Sequence, residues 1–519
     1  MDKRKQKDKK TAKRNLRIQR ANSEEIRQKQ RRKKEKSKNN ETDAKNKDIN
    51  NLNSSKKNKP GRKQDPKGVE FNDSDLLKIT VEHFFKNKIN DLIDEIDDPR
   101  DRDMCTYELT HLTWLGILMF LFRLKSRNQL LKEKDKGHFL ENLLSLSASD
   151  EEYAAHPDTM NYLFEIISYE KYESLKTDLV KILMKNKVLD KHRLFGSYRI
   201  AIDATDLFTF KTSHCENCLV QKHNDNTTTY SHKMLEAKLV SELGFAFSVC
   251  SESIENVNGK YDKQDCELKA FYRMEEKLKK LFPRTQICIL LDGLYACKEV
   301  FDICKKNGWG YIIVLKPKKI PTLYKKALEE TTKYPNNTLL LEGDNEKEEI
   351  KWCCHVDYNG RKLHVVFSKK TTIEDGEITI KKDSWVTNIV PRKNNIEKLI
   401  KKGGRQRWKI ENQGFKEQKC DDYELEHLYG EKANAWKIYY QLLQIAHLIT
   451  QLIRYSDLFQ RLQEHSPIQN NKRVINSFKK YYNTIGNFVL EMRRKFISET
   501  FSELTEKLRG KIQIRFSSG

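Results

Sequence analysis

Two aspartates stand out by where they fall. Asp203 closes the run Tyr198-Arg199-Ile200-Ala201-Ile202 and opens Asp203-Ala204-Thr205, and Asp292 follows Ile287-Cys288-Ile289-Leu290-Leu291 and precedes Gly293. Short apolar, β-branched runs of this kind read as buried strands. A residue that ends such a strand projects past the sheet edge, where open α/β sheets bind their ligands. Two carboxylates in one crevice repel each other unless a cation holds them, and hard oxygen donors favour Mg²⁺ or Mn²⁺. Taken singly, each aspartate only starts a turn, Asp-Gly being a common turn pair. Taken together, in adjacent strands, they point to a metal site.

A third carboxylate is expected from a helix. Arg407 and Glu411 are four residues apart in a segment that also holds Trp408, Phe415 and Lys419, so they share one helix face. Glu411 completes a metal-binding set, while Arg407 and Lys419 are candidates to grip phosphate beside it. Without the aspartates, a solvated ion-pair face would be the better reading.

The elements that must position these groups follow from the patterning. After the strand ending at Asp203, Leu235 to Val240 and Phe245 to Cys250 read as strands, Gln264 to Leu281 as a helix and Ile287 to Leu291 as a buried strand. A helix over Ala296 to Lys306 and a strand over Tyr311 to Leu315 complete the set. Three strands, helix, strand, helix, strand is the ribonuclease H-like topology, an α/β fold with a mixed sheet flanked by helices. Asp203 and Asp292 are 89 residues apart, but Asp292 and Glu411 are separated by 119, far more than a strand and a loop require. The surplus reads as a β-rich insertion over 317–392, with strands at Thr338 to Leu341, Glu349 to Val356, Leu363 to Phe367 and Trp385 to Ile389. Helical spacing of Leu77, Val81, Phe84, Phe85, Ile89, Leu92, Ile93 and Ile96, with Asp73 or Ser74 as cap, opens a helical N-terminal domain over 71–190. The catalytic core is expected over 191–316 and 393–455, and a helical, charged C-terminal region over 456–519.

Asp203-Ala204-Thr205, Leu291-Asp292-Gly293 and the Arg-x-x-x-Glu of Arg407 and Glu411 resemble the DDE transposases of bacterial insertion sequences. The likeness is strongest to the group with a Tyr–Arg–Glu–Lys third motif and a catalytic fold split by a β-rich insertion. It spans roughly residues 100–455 and includes His-Pro-Asp-Thr at 156–159 and Lys-Gln-Asp-Cys-Glu-Leu-Lys-Ala at 263–270. Two positions depart from the motif: the tyrosine falls on Gly404 and the lysine on Gln418, with Lys419 one place late. The resemblance implies cleavage and strand transfer at the element's terminal inverted repeats. Two Mg²⁺ (or Mn²⁺) ions about 3.5–4 Å apart would be held by Asp203, Asp292 and Glu411. It also implies a homodimeric synaptic complex and an insertion that holds DNA ends. Trp352 or Trp385 would stack on an unpaired base there, core packing being the other reading. A DNA-binding protein derived from such an enzyme, or a nuclease that cuts without joining, are the rival functions.

Cys215-Glu216-Asn217-Cys218, with His223 and His232 downstream, has the spacing of a zinc clip. Cys215, Cys218 and His223 are the expected ligands, reduced thiols beside polar loop histidines being the alternative. Cys353 and Cys354 point to opposite faces of one strand and make a poor site by themselves, though one of them could join the first pair.

Composition fits a nucleic-acid partner. The 519 residues carry a net charge of +24, of which residues 1–67 supply +17, leaving +7 for the remaining 452. That basic tail, taken as 1–70, has too few apolar residues to offset the entropy of ordering and is expected to be disordered, docking on phosphates by counterion release. Pro60-Gly61-Arg62-Lys63 is a short candidate for a minor groove. The longest apolar stretch, Leu112 to Phe122, has eleven residues where a bilayer needs about 20. The chain opens on a charged tract without an apolar core, so neither a secretory leader nor a membrane span is expected. Eleven scattered cysteines fit a reducing cytoplasm and a DNA-associated protein better than a disulfide framework.

Overall fold

The computed structural model describes residues 73–456 and 485–502, apart from 87, 214, 257–263, 375–376 and 433. The basic tail and Pro60 to Lys63 lie outside the described residues, as does most of 456–519.

Among the described residues seven α-helices come first: α1 (Asp75–Phe85), α2 (Lys88–Asp94), α3 (Leu109–Leu121), α4 (Arg127–Glu133), α5 (Phe139–Ser147), α6 (Pro157–Ile166) and α7 (Tyr169–Lys185). Ser74 occupies the cap position of α1 but makes no side-chain capping bond, and Lys86 ends the helix at φ 52°. His-Pro-Asp-Thr is a helix start. His156 accepts from the Asp158 N–H, and Pro157 occupies the first turn, where its missing donor costs nothing.

Four strands follow, β1 (Tyr198–Phe210), β2 (Leu219–Lys222), β3 (Thr228–Val240) and β4 (Ala246–Ile254), then α8 (Glu267–Leu281), β5 (Ile287–Leu291), α9 (Lys298–Asn307) and β6 (Gly310–Val314). Next come α10 (Pro321–Lys333) and a meander of β7 (Thr338–Gly343), β8 (Glu346–Tyr358), β9 (Arg361–Glu374) and β10 (Glu377–Thr387). The chain closes through α11 (Ile396–Lys401), a 3₁₀ turn at Gly404–Trp408, a π-helical stretch at Ile410–Lys416, α12 (Glu417–Cys420), α13 (Ala435–Tyr455) and α14 (Ile485–Ser498).

The ten strands of the described residues form one sheet in the order β2-β3-β1-β5-β6-β10-β9-β8-β7, with β4 also on β3. Only the β1–β5 and β5–β6 pairs are parallel; the rest are antiparallel. The expected insertion differs in two respects. It begins with a helix, α10. Its strands also continue the main sheet rather than forming a separate body, because Trp385, Val386 and Thr387 of β10 pair with Val314, Ile313 and Ile312 of β6.

The N-terminal helices are likewise not a separate domain. The described residues fall in one compact unit. One hydrophobic core runs from Leu77 and Phe85 through Trp114 and Leu118 to Ile200, Phe247, Leu442 and Ile449. Two helices at its centre, α3 and α13, are buried on almost every face, as expected of helices inside a large core. Gly116 lets them meet: a Cβ there would lie 2.7 Å from Leu442 Cδ1. Two buried glutamines of α13 are paired, Gln444 with Lys238 and Gln418, and Gln451 with the Ala246 N–H, while the Gln441 Oε1 has no hydrogen-bond partner among the described residues.

Candidate active site

Asp203 does not end its strand, contrary to the expectation from sequence. β1 runs on to Phe210 as a ribbon with β3, and its polar outer residues, Asp206 and Thr209, hide that continuation. The parallel pairing of β1 with β5 does stop early, at Ala201 opposite Leu290. Asp203 and Asp292 each lie two residues beyond that last couple, level with one another at the carboxyl rim of the parallel strands.

Glu411 reaches the same rim from the π-helical stretch, a local widening of the helix that recurs at functional sites. Buried Arg199 of β1 anchors the approach to that segment by donating to the Lys402 carbonyl at 2.5 Å. Gly414 permits its contact with β3, since a Cβ there would lie 3.2 Å from Lys238 Cδ.

Arg407 is the hub. Its Nη1 donates to Asp203 Oδ2 at 3.0 Å and to Glu411 Oε1 at 2.8 Å. Its side chain is only 5% exposed, against 18% for Asp203 and 36% for Glu411. Burial, reinforced by the hydrogen bond with Glu411, pushes the Asp203 carboxyl up to about 7 even though Arg407 pulls it down. Burial also opposes ionisation of Asp292, but the Gly293 N–H and Lys316 outweigh it and hold that carboxyl below its ordinary value. Lys316 Nζ donates to Asp292 Oδ2 at 3.2 Å. Gly293 lies under that lysine, where a Cβ would come within 3.1 Å of its stem. Asp292 is coupled electrostatically to Arg407 as well. One guanidinium thus bridges two of the carboxylates, while Asp292 has Lys316 as its own cation.

Other expected contacts are not at this site. Arg407 is enclosed between carboxylates rather than presented to phosphate. Lys419 pairs with Glu426 at 2.6 Å. Trp352 and Trp385 are buried, 3% and 4% exposed, in the smaller apolar cluster, so neither offers a face to a base. Trp385 instead explains the departure at Gly404, because a Cβ on Gly404 would lie 2.6 Å from Trp385 Nε1. The indole fills the space that any side chain at 404 would need. At the other departure, Gln418 is buried and bonded to Gln444 and His447, and Lys238 donates to the same Gln444 at 2.9 Å. A cation from β3 therefore enters the polar cluster where the motif's lysine is expected.

Several neighbours are not evident from sequence alone. Lys316 follows the third parallel strand, and its place just past that strand was the available signal. Glu267 opens α8, and burial, together with Asp206 and Asp292, raises its carboxyl against the pull of Lys233. Tyr295, buried beside Asp203 and Asp292, has a hydroxyl with no hydrogen-bond partner among the described residues. Trp408 is half exposed, with Arg407 4.5 Å over its ring.

The cysteine pair also gathers, but not with the histidine expected. Cys215, Cys218 and His232 lie together, whereas His223 Nε2 bonds Thr229 Oγ1 at 2.8 Å. The ribbon geometry decides this: His232 faces Phe208 across β1–β3, while His223 follows β2 at the turn. Cys353 and Cys354 do not join, their thiols bonding the Val365 and Pro391 carbonyls. Among the described residues no helix is long and apolar enough to cross a membrane.

Compared with known proteins, the chain matches no family model and no curated sequence.

Proposed function

We propose that the chain is a DNA transposase of the DDE type, cleaving and joining DNA at the ends of a mobile element. The observation that carries this reading is the bridge that Arg407 makes between Asp203 and Glu411, with Asp292 level with Asp203 on the neighbouring parallel strand. The order β4-β3-β1-β5-β6, with only β1, β5 and β6 parallel, supports a ribonuclease H-like core around them. The donor chemistry suits a hard divalent cation, three carboxylates with no soft ligand among them. An ion would have to draw them together, since among the described residues only Cys215, Cys218 and His232 bring three ligand atoms within 4.8 Å of one another. Asp203, Asp292 and Glu411 would hold Mg²⁺ or Mn²⁺, which when bound supplies Lewis-acid polarisation of phosphate and a water of lowered pKa.

The chain's own groups do the positioning. Arg407 holds Asp203 and Glu411 in register and offsets their repulsion. Lys316, 59% exposed, keeps Asp292 ionised and faces solvent, where a phosphate can meet it. Trp408 offers the exposed aromatic face that Trp352 and Trp385 do not. On the meander Lys382 stands opposite Lys369 across β10 and β9, a like-charge pair that a phosphate between them would relieve.

A second reading has its own observation. Arg407 already satisfies two of the carboxylates without a metal, as it would in a DNA-binding protein that has lost catalysis. An assay with DNA carrying the inverted repeats that flank the gene separates the two. Wild type with Mg²⁺ or Mn²⁺ is expected to cut and join, and Asp292→Asn to do neither while still shifting the ends. Cleavage by Asp292→Asn at the wild-type rate, or none by wild type with either metal, would sink the transposase reading.

A further inference from the structure

We propose that Cys215, Cys218 and His232 bind one Zn²⁺ ion that pins the loop after β1 onto β3. This rests on the side chains themselves and is independent of the proposed transposase activity. Cys215 Sγ lies 3.5 Å from Cys218 Sγ, and His232 Nε2 lies 3.2 Å from the first sulfur and 3.4 Å from the second. Tetrahedral zinc, with bonds of about 2.3 Å to sulfur and 2.0–2.1 Å to nitrogen, sets its ligands roughly 3.8 Å apart for S···S and 3.5 Å for S···N. The three donors therefore outline one face of a zinc tetrahedron, drawn slightly inward.

Their surroundings favour a bound ion over three unrelated polar groups. Cys218 is fully buried and His232 is 2% exposed. The imidazole is wedged between Phe208 and Trp436, at ring distances of 5.5 and 5.3 Å, so its orientation is fixed by packing. The loop is held from behind as well: Asn256 donates its N–H to the Asn217 carbonyl at 3.0 Å and its Nδ2–H to the Cys218 carbonyl at 2.8 Å. A thiol bonded to imidazole or to another thiol is a weak interaction, which leaves so close a gathering without a strong cause of its own. Two thiolates and an imidazole are soft and borderline donors, the set that selects zinc and not magnesium. The group has three members among the described residues, so the fourth position is open to water or a further ligand. Binding displaces two thiol protons to solvent, so the affinity falls as pH falls.

The site lies on the ribbon that carries Asp203. His232 pairs across to Phe208, while Glu236 on the same strand pairs across to Asp203. A metal clip there would set how far the ribbon beyond the carboxylates can twist.

The test uses the full chain, purified under reducing conditions. Elemental analysis is expected to give one zinc per chain. Replacement by Co²⁺ should produce visible d–d bands with a thiolate-to-cobalt transition in the near ultraviolet. Cys218→Ser and His232→Gln should lose both signals, and Cys266→Ser and Cys420→Ser, at exposed thiols, should keep them. Should the ligand variants fold poorly, wild type decides: stripping with a chelator should lower the unfolding temperature, and stoichiometric Zn²⁺ should restore it. Reduced wild type that takes up neither Zn²⁺ nor Co²⁺, or Cys218→Ser with an unchanged cobalt spectrum, would overturn the proposal.

Discussion

Arg407 and Asp203 stand 204 residues apart in the chain, yet their side chains meet at 3.0 Å on the carboxyl rim of the sheet. Since the same nitrogen serves Glu411, one buried cation balances two acids from different elements. Arg407→Gln should therefore destabilise the fold by about 2–4 kcal/mol. That is somewhat less than the usual cost of breaking a fully buried pair, because Glu411 keeps 36% of its side chain exposed. Millimolar Mg²⁺ or Mn²⁺ should recover part of that loss, seen as a larger rise in unfolding temperature than wild type shows. An equal rise in Arg407→Gln/Asp203→Asn would mean that the ion binds elsewhere.

Gly404 makes a sharper steric prediction. Any side chain there must displace the Trp385 indole, so Gly404→Ala should cost about 1–3 kcal/mol, the usual range for overpacking. Gly404→Ala combined with Trp385→Phe should cost less than the sum of the two single changes, as chemical denaturation would report. Strict additivity would show that the two positions do not touch.

His447 gives a pH dependence away from the carboxylates. Burial lowers its pKa to about 4, against the pull of Glu417, so the folded chain keeps it neutral. The unfolded histidine takes up a proton near pH 6.5, so the unfolded state binds more protons between pH 6.5 and 4. Stability from this group is complete above about 6.5 and is lost as pH falls through that window. His447→Gln, whose amide can still meet Gln418 and Glu417, should flatten the slope of unfolding free energy over pH 4–6.5 by roughly 2 kcal/mol in total. Parallel curves for the two proteins would place the acid sensitivity elsewhere.

Removal of residues 1–69 tests the tail. That segment holds most of the +24 net charge. Its removal should leave the unfolding temperature of the body within a degree or two and weaken binding to arbitrary duplex DNA. It should also make the plot of log affinity against log salt shallower, by about 0.9 for every phosphate that the tail neutralises. An unchanged salt slope would remove the tail from the DNA-binding surface.

How far the sequence could be read depended on what each residue's partners were. Ile287 to Leu291 and Tyr311 to Leu315 are legible because a buried parallel strand is apolar on both faces, and the position of Asp292 follows from the first of them. The outer half of β1 was not, since its exposed Asp206 and Thr209 break the apolar run and resemble a loop. For Arg407, spacing shows that it shares a face with Glu411, but only the fold shows that Asp203 closes over it. Trp352 and Trp385 are core residues, the commoner fate of a tryptophan in a strand, and not platforms for a base. Their burial depends on β10 pairing with β6 and on the glycine at 404, neither of which local pattern contains. Choosing His232 over His223 required the register of β1 against β3, fixed by the length of the intervening hairpin and not by the cysteine motif.

The pairing of β10 with β6 has a mechanical consequence. The Leu315 N–H donates to the Ser384 carbonyl at 2.9 Å, and the Ser384 hydroxyl donates back to the Leu315 carbonyl at 2.6 Å. The next residue in the chain is Lys316, whose ammonium rests on Asp292. A load on the outer hairpin of the meander would thus reach Asp292 through a single clasped strand and one lysine.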